Sequence, residues 1–329
     1  MKATWDGFRS VLSSHIERFL AVKRALGQRF RVEEYALRLL DRFLVNQRTG
    51  AIEDITPELL ERFMASRPRF APRSYNHLLG VLGRLFTWMV KQQVLPNSPL
   101  SLRPRRQTTK RLPFLFDLEH VGRLLDIASG LTDNNRAPDR GVTYRTIFAV
   151  LYGLGLRVGE LCRLCMQDVD WDRNLLVIRQ TKFGKSRLVP FGPRMAERIR
   201  SYIRLRERRR RTMAPEAPSF SFSRDRFITP TTISQTFHQI APRLRIQIPP
   251  GVSSPRLHDL RHSFAVGTLL GWYRSGIDPS QRLLYLSTFM GHVALSSMAE
   301  YLTITEDLLR EANSRFERFA GSVAGEILQ

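Results

Sequence analysis

The sequence predicts a two-domain, mainly α-helical chain with one small antiparallel β-sheet, and three observations carry that expectation. Its 329 residues exceed what a single hydrophobic core usually serves. Apolar residues recur at helical spacing along most of its length. One stretch only, NLLVIRQ followed by TKFGK and SRLVPF, sets two β-rich runs around a glycine, the pattern of a hairpin. A hydrophobic share of 43% and a charged share of 25% are globular values. The chain lacks any apolar run of the roughly 20 residues that span a bilayer. Its first residues, MKATWDGFRS, lack the apolar stretch of a secretory signal, so a cytoplasmic location is expected.

Taken in order, 8–30 reads as a helix through Phe8, Leu12, Ile16, Phe19, Leu20 and Val22. RVEEYALRLLDRFLVNQ follows through Tyr35, Leu39, Leu40, Phe43 and Leu44. Thr56 and Pro57 suit the N-cap and first position of a third helix. PRSYNHLLGVLGRLFTWMVKQQ is a fourth, with Pro96 and Pro99 expected to stop it. These four make an all-α domain over 1–100. Residues 101–113, SLRPRRQTTKRLP, have no apolar period and carry Arg103, Arg105, Arg106, Lys110 and Arg111. They read as a basic linker, either a strap across a polyanion or an ordinary solvated loop. The second domain, 114–329, holds a helix from Asp117, a buried-looking helix leading into GLRVGEL, the hairpin, and RMAERIRSYIRLRERRRR. Helices over 231–245, 258–272 and 280–289 and an amphipathic C-terminal segment complete it.

Charge narrows the partner. Lys and Arg total 52 against 30 Asp and Glu, a net +22, and 46 of the cations are Arg. Arg presents a planar fork that matches phosphate oxygens, so the excess suits a nucleic-acid backbone. Residues 1–111 carry +12 and residues 112–329 carry +10, so both halves are basic rather than one tail. Cys162 and Cys165 form a lone C-x-x-C without a second pair to complete a structural zinc site. They read as two small apolar residues of a helix.

Four patterns in the second half carry chemistry. GLRVGEL places Arg157 at a glycine-rich approach to a helix, and TKFGKSRLVP places Lys182 and Lys185 in the hairpin turn. RLHDLRHSFA sets His258 and Arg261 three apart on one helix face, and MGHVALSSMAEYL sets His292 nine residues before Tyr301. Each alone could be structural: a salt-bridged Arg, a solvated Lys, a capping His, a core Tyr. In this order they resemble the active-site signature of the tyrosine recombinases, which include phage integrases and Xer-like enzymes. The resemblance covers approximately 112–320, and the helical first half looks like that family's SAM-like core-binding, DNA-binding domain by architecture alone.

The chemistry of DNA cleavage explains these residue types. Two Arg forks, Arg157 and Arg261, can neutralise the non-bridging oxygens as charge builds at phosphorus. A lysine can protonate the departing 5′-oxygen; the family spacing, six residues before the Leu of RLVP, selects Lys182, with Lys185 the competitor. His258 can assist transfer of the phenol proton, and His292 can hydrogen-bond a phosphoryl oxygen or the attacking group. Tyr301 would form a 3′-phosphotyrosyl link that conserves bond energy, so no external energy source, metal or other cofactor is expected. Glu160 resembles an acidic position that orients this site, and reads equally well as a surface carboxylate. His258 and His262 could suggest a metal face, but Arg261 between them would repel a cation. Tyr202, Tyr273 and Tyr285 lack a Gly-His pair at the right distance.

The resemblance implies a two-domain clamp closing on a double-stranded recombination site; the charge and position of Arg103, Arg105, Arg106, Lys110, Arg111 and Lys185 make them the expected DNA contacts. It further implies four protomers joined through the C-terminal tail and strand exchange through a Holliday junction. The long interval between Arg261 and His292 favours a mobile-element recombinase, of integrase or transposase type. The alternatives are a type IB topoisomerase and a DNA-binding regulator that has lost activity.

Overall fold

A computed structural model describes residues 7–28, 30–67, 69–106, 112–179, 186–209, 212–222 and 226–291. The chain divides into two compact units, Met1–Lys110 and Arg111–Gln329. It is mainly helical with one small antiparallel sheet, the class expected from the sequence.

Four helices make the described part of the first unit: α1 (Ser13–Ala25), α2 (Arg31–Asn46), α3 (Pro57–Ala65) and α4 (Pro72–Lys91). Phe19, Leu37, Leu40, Phe63, Leu82 and Phe86 from all four helices are fully buried in one core. Each such side chain contributes about 1.5–3 kcal/mol over leaving it in water. The Thr56 hydroxyl accepts from the Leu59 N–H at 3.3 Å, so the expected cap of α3 is present. Asp41, buried in α2, accepts from the backbone N–H groups of Arg9 and Ser10 and so ties the entering chain to the bundle.

Three expectations change. Helix α1 is shorter than 8–30, ending at Ala25 with Gly27 in the left-handed region. Tyr35 is 58% exposed, because α2 turns Ala36 and Leu37 inward instead. Helix α4 stops at Lys91, five residues before the first of the two prolines. Its end is a Schellman cap: Gln93 adopts φ 58°, its N–H reaches the Val90 carbonyl, and the Val94 N–H reaches that of Met89.

The segment 101–106 has no regular structure and lies on this unit. Arg105 exchanges backbone hydrogen bonds with the Asn76 side chain, donates to the Arg69 carbonyl, and stacks its guanidinium 4.0 Å over the Tyr75 ring. Arg103 and Arg106 are exposed. Lys110 and Arg111 lie outside the described residues.

In the second unit, α5 (Leu118–Ser129) and α6 (Arg140–Gly153) precede a short helix α7 (Val158–Leu161). Then come β1 (Val169–Asp170), β2 (Leu175–Ile178) and β3 (Arg187–Pro190), ordered β1-β2-β3 and antiparallel throughout. Helices α8 (Pro193–Arg208), α9 (Pro230–Ile240), α10 (Asp259–Arg274) and α11 (Pro279–Met290) follow. Helix α6 is buried on most of its surface, with Tyr144, Ile147, Phe148 and Leu151 in a core shared with α9 and the sheet. The expected hairpin is β2 and β3, with Ile178 opposite Arg187 as its last pair before the turn. Strand β1 escapes a sequence reading because two residues carry no period.

The cysteines are not on one helix, contrary to expectation. Helix α7 ends at Leu161, and Cys165 lies beyond it, bridged to Pro218. Cys162 is buried, which pushes its thiol up to about 12 and leaves it protonated and inert.

Candidate active site

Four pieces of the second unit converge: the start of α7, the first residue of β3, the first turn of α10 and the C-terminus of α11. A helix leaves its last carbonyls without intrahelical donors and carries partial negative charge there. Arginine is suited to such an end, and here three arginines meet it. Arg187 donates Nε–H to the Phe289 carbonyl at 2.7 Å. Arg261 and Arg157 both donate to the Met290 carbonyl, at 2.6 and 3.4 Å. Arg157 also donates to the Gly291 carbonyl at 2.9 Å. The two arginines singled out by the sequence therefore share one oxygen.

Two glycines make the approach possible. Gly155 has φ +57°, and a Cβ there would lie 2.4 Å from the Phe264 ring. Its carbonyl accepts from Arg261. Gly291 closes α11 in the left-handed region, φ +68°, and a Cβ on it would meet the Arg187 guanidinium at 2.7 Å.

Glu160 stands at the centre of this charge. It is 4% exposed, which settles the choice left open by the sequence: it is no surface carboxylate. Its Oε1 accepts from Arg157 and Arg187, both at 2.9 Å. Its Oε2 accepts from the Arg157 backbone N–H at 3.0 Å and from Arg187 at 2.8 Å. Burial alone would raise its pKa. The hydrogen bonds and charge of Arg187, then those of Arg157, outweigh burial and hold the carboxyl at about 2.

The two family arginines differ in access. The Arg157 side chain is 32% exposed. Three of the five N–H donors of its guanidinium are engaged, so two remain for an anion. Arg261 is 2% exposed, enclosed by protein. His258 occupies the N-cap position of α10, three residues before Arg261, without a side-chain capping bond, its ring edge-on to His262 at 4.8 Å between centroids. Desolvation first, then the charges of His262 and Arg261, pull its pKa down to about 4. The residue keeps an exposed face, and water there moderates the shift, but its direction leaves the ring neutral at neutral pH. Lys182, Lys185, His292 and Tyr301 lie outside the described residues.

The signature over this region is matched by the phage integrase family across residues 117–307. The chain belongs to that family. Among integrase relatives, a Sinorhizobium fredii protein, whose name, integrase/recombinase y4rB, is itself provisional, is 32% identical over 94% of this chain and 98% of its own. Tyrosine recombinase XerA of Thermococcus onnurineus is 30% identical over 80% of this chain and 82% of its own. Among solved structures, the Tn1549 transposon integrase in complex with transposon right end DNA superposes with a TM-score of 0.64 at 16% identity, covering 93% and 99% of the two chains. These relatives place the chain among recombinase enzymes of the tyrosine recombinase class. Among the described residues no helix is long and apolar enough to cross a membrane.

One site residue escaped the sequence reading. Arg187 is part of the SRLVPF string and was legible only as the start of a strand. Its signal, an arginine at the first β position after a lysine-bearing turn, means nothing until the strand is laid beside α11.

Proposed function

We propose that this chain is a site-specific DNA recombinase of integrase or transposase type that cleaves and rejoins double-stranded DNA through Tyr301. The observation carrying this reading is the meeting of Arg157 and Arg261 at the Met290 carbonyl, two residues before His292 in sequence, with Arg157 keeping donors toward solvent. Paired guanidinium groups neutralise a phosphodiester as negative charge builds on its non-bridging oxygens, the role that metal ions fill in other phosphoryl-transfer sites.

In the proposed step the Tyr301 phenol oxygen bonds to phosphorus and the bond to the 5′-oxygen breaks. The phenol proton passes toward the neutral His258, whose proton affinity rises when a phosphate anion comes beside it. Lys182 gives its proton to the leaving 5′-oxygen, Lys185 contacts DNA, and His292 steadies a phosphoryl oxygen. The attack of a 5′-hydroxyl then reverses the step and needs no nucleotide energy. The domain assignment belongs to the same reading: residues 1–100 grip DNA as a core-binding domain, 101–113 connect, and 114–329 carry the catalysis. Arg103, Arg105, Arg106, Lys110 and Arg111 supply linker contacts. Four protomers, joined through the tail after Tyr301, exchange strands by way of a Holliday junction. The transposon-end and difH DNA of two structural relatives point to DNA as the partner.

The test uses a nicked DNA target that traps the covalent product. Wild-type protein is expected to yield a denaturant-resistant protein–DNA species. Tyr301→Phe should yield none while binding DNA normally, since only the nucleophilic oxygen is lost. A covalent species persisting in that variant sinks the assignment. On a plasmid with two target sites, recombinant circles support the recombinase reading, and relaxed circles alone would replace it with a topoisomerase.

A further inference from the structure

We propose that Arg187 is a positioning residue of this active site, setting the Arg157 guanidinium through Glu160 and holding the end of α11 against it; the inference rests on the recombinase reading above. Arg187 is the more enclosed of the two arginine partners of Glu160, with its side chain 7% exposed against 32% for Arg157. Unlike Arg157, it offers little of its side chain to solvent. Its guanidinium is instead spent on protein: Nη1 and Nη2 span both oxygens of Glu160, at 2.9 and 2.8 Å, and Nε holds the Phe289 carbonyl.

Glu160 accepts four hydrogen bonds, and two come from Arg187. The other two fix Arg157 at both its backbone and its guanidinium. Removing Arg187 leaves a dry carboxylate with Arg157 as its remaining charged partner, and Arg157 is then drawn inward from the edge it offers to solvent. The same removal releases the Phe289 carbonyl, next to the Met290 carbonyl that Arg157 and Arg261 share. Arg187 is also paired with Ile178, the last pair of β2 and β3 before the segment whose sequence holds Lys182 and Lys185. One side chain thus joins that hairpin, the oriented arginine and α11.

Lysine cannot substitute. A single ammonium does not span two carboxylate oxygens and a carbonyl in fixed directions as a planar fork does. Gly291 agrees with this reading, because any side chain there would displace the Arg187 guanidinium.

The experiment compares cleavage of two nicked DNA targets, one with a normal scissile phosphodiester and one with a neutral methylphosphonate there. Rates are measured at saturating DNA and divided by the wild-type rate on the same target. Arg187→Ala and Arg187→Lys are each expected to slow cleavage of the phosphodiester by roughly 10²-fold, the scale of a lost electrostatic donor. On the methylphosphonate the loss should shrink by roughly tenfold or more, as for Arg157→Ala run alongside, because there is less charge for Arg157 to neutralise. Equal losses on both targets would mean that Arg187 only supports the fold and would overturn the proposal, as would wild-type rates in Arg187→Lys. Should Arg187→Ala fail to fold by circular dichroism, Arg187→Lys decides, since it keeps the charge and the stem. A wild-type protein that cleaves neither target refutes the recombinase reading itself, before any variant is compared.

Discussion

Arginine charge lowers the pKa of both Glu160 and His258, against burial at the carboxylate and together with burial at the imidazole. For the carboxylate, two guanidinium groups within hydrogen-bond reach outweigh burial and keep it ionised to about 2. For the imidazole, burial and the charges of His262 and Arg261 act together, so its pKa falls from 6.5 to about 4, with Asp259 opposing. In the folded protein His258 is thus neutral through the range where an unfolded chain would protonate it. Its contribution to stability is complete above pH 6.5 and is lost as the pH falls toward 4. The ring proton of His258, followed by NMR on the protein without DNA, should titrate below the ordinary 6.5. A midpoint at or above that value would contradict the lowered pKa and with it the burial argued for the ring.

At the scale of elements, the C-terminus of α11 organises the site. Its dipole and its unbonded carbonyls attract cations, and the loop from α6 to α7, the start of β3 and the first turn of α10 each deliver one. That arrangement demands a close approach between the α6–α7 loop and α10, which Gly155 provides. Gly155→Ala is expected to cost about 1–3 kcal/mol, since it combines a positive φ with overpacking against Phe264. Urea unfolding would read this as a lower midpoint with an unchanged slope. A midpoint equal to wild type would show that the loop relaxes freely. Cleavage should fall as well, because the Gly155 carbonyl receives Arg261.

For the molecule as a whole, the +22 charge is shared between two units that are each basic. Salt should therefore weaken DNA binding steeply, through release of condensed counterions. The linker cations divide into two kinds. Arg103, Arg105 and Arg106 are all exposed, and Arg105 is in addition engaged with Asn76, Arg69 and Tyr75. Replacing Arg103 and Arg106 together by Ala should reduce the slope of log affinity against log salt by roughly 2, about 0.9 for each phosphate left unneutralised. Arg105→Ala should change that slope less and loosen the first unit more. An unchanged slope in the double variant would mean that the linker does not touch DNA.

The sequence by itself determined the helical class, the hairpin, the cap at Thr56 and the family, because each rests on local spacing: 3.6 for a helix, 2 for a strand, fixed offsets for the Arg157, His258 and Arg261 motifs. It misjudged features that depend on neighbours. Periodicity put Tyr35 inside, but the packing of α2 against α4 chose Ala36 and Leu37. Prolines were expected to end α4, yet the chain had already closed a cap around Gln93. Glu160 could be read equally as a surface or an orienting carboxylate, because burial is not a property of a heptad or a motif. Arg187 was silent for the same reason. Its role exists only where β3 meets α7 and α11, partners separated by 27 and 102 residues, and tertiary structure alone supplies that meeting.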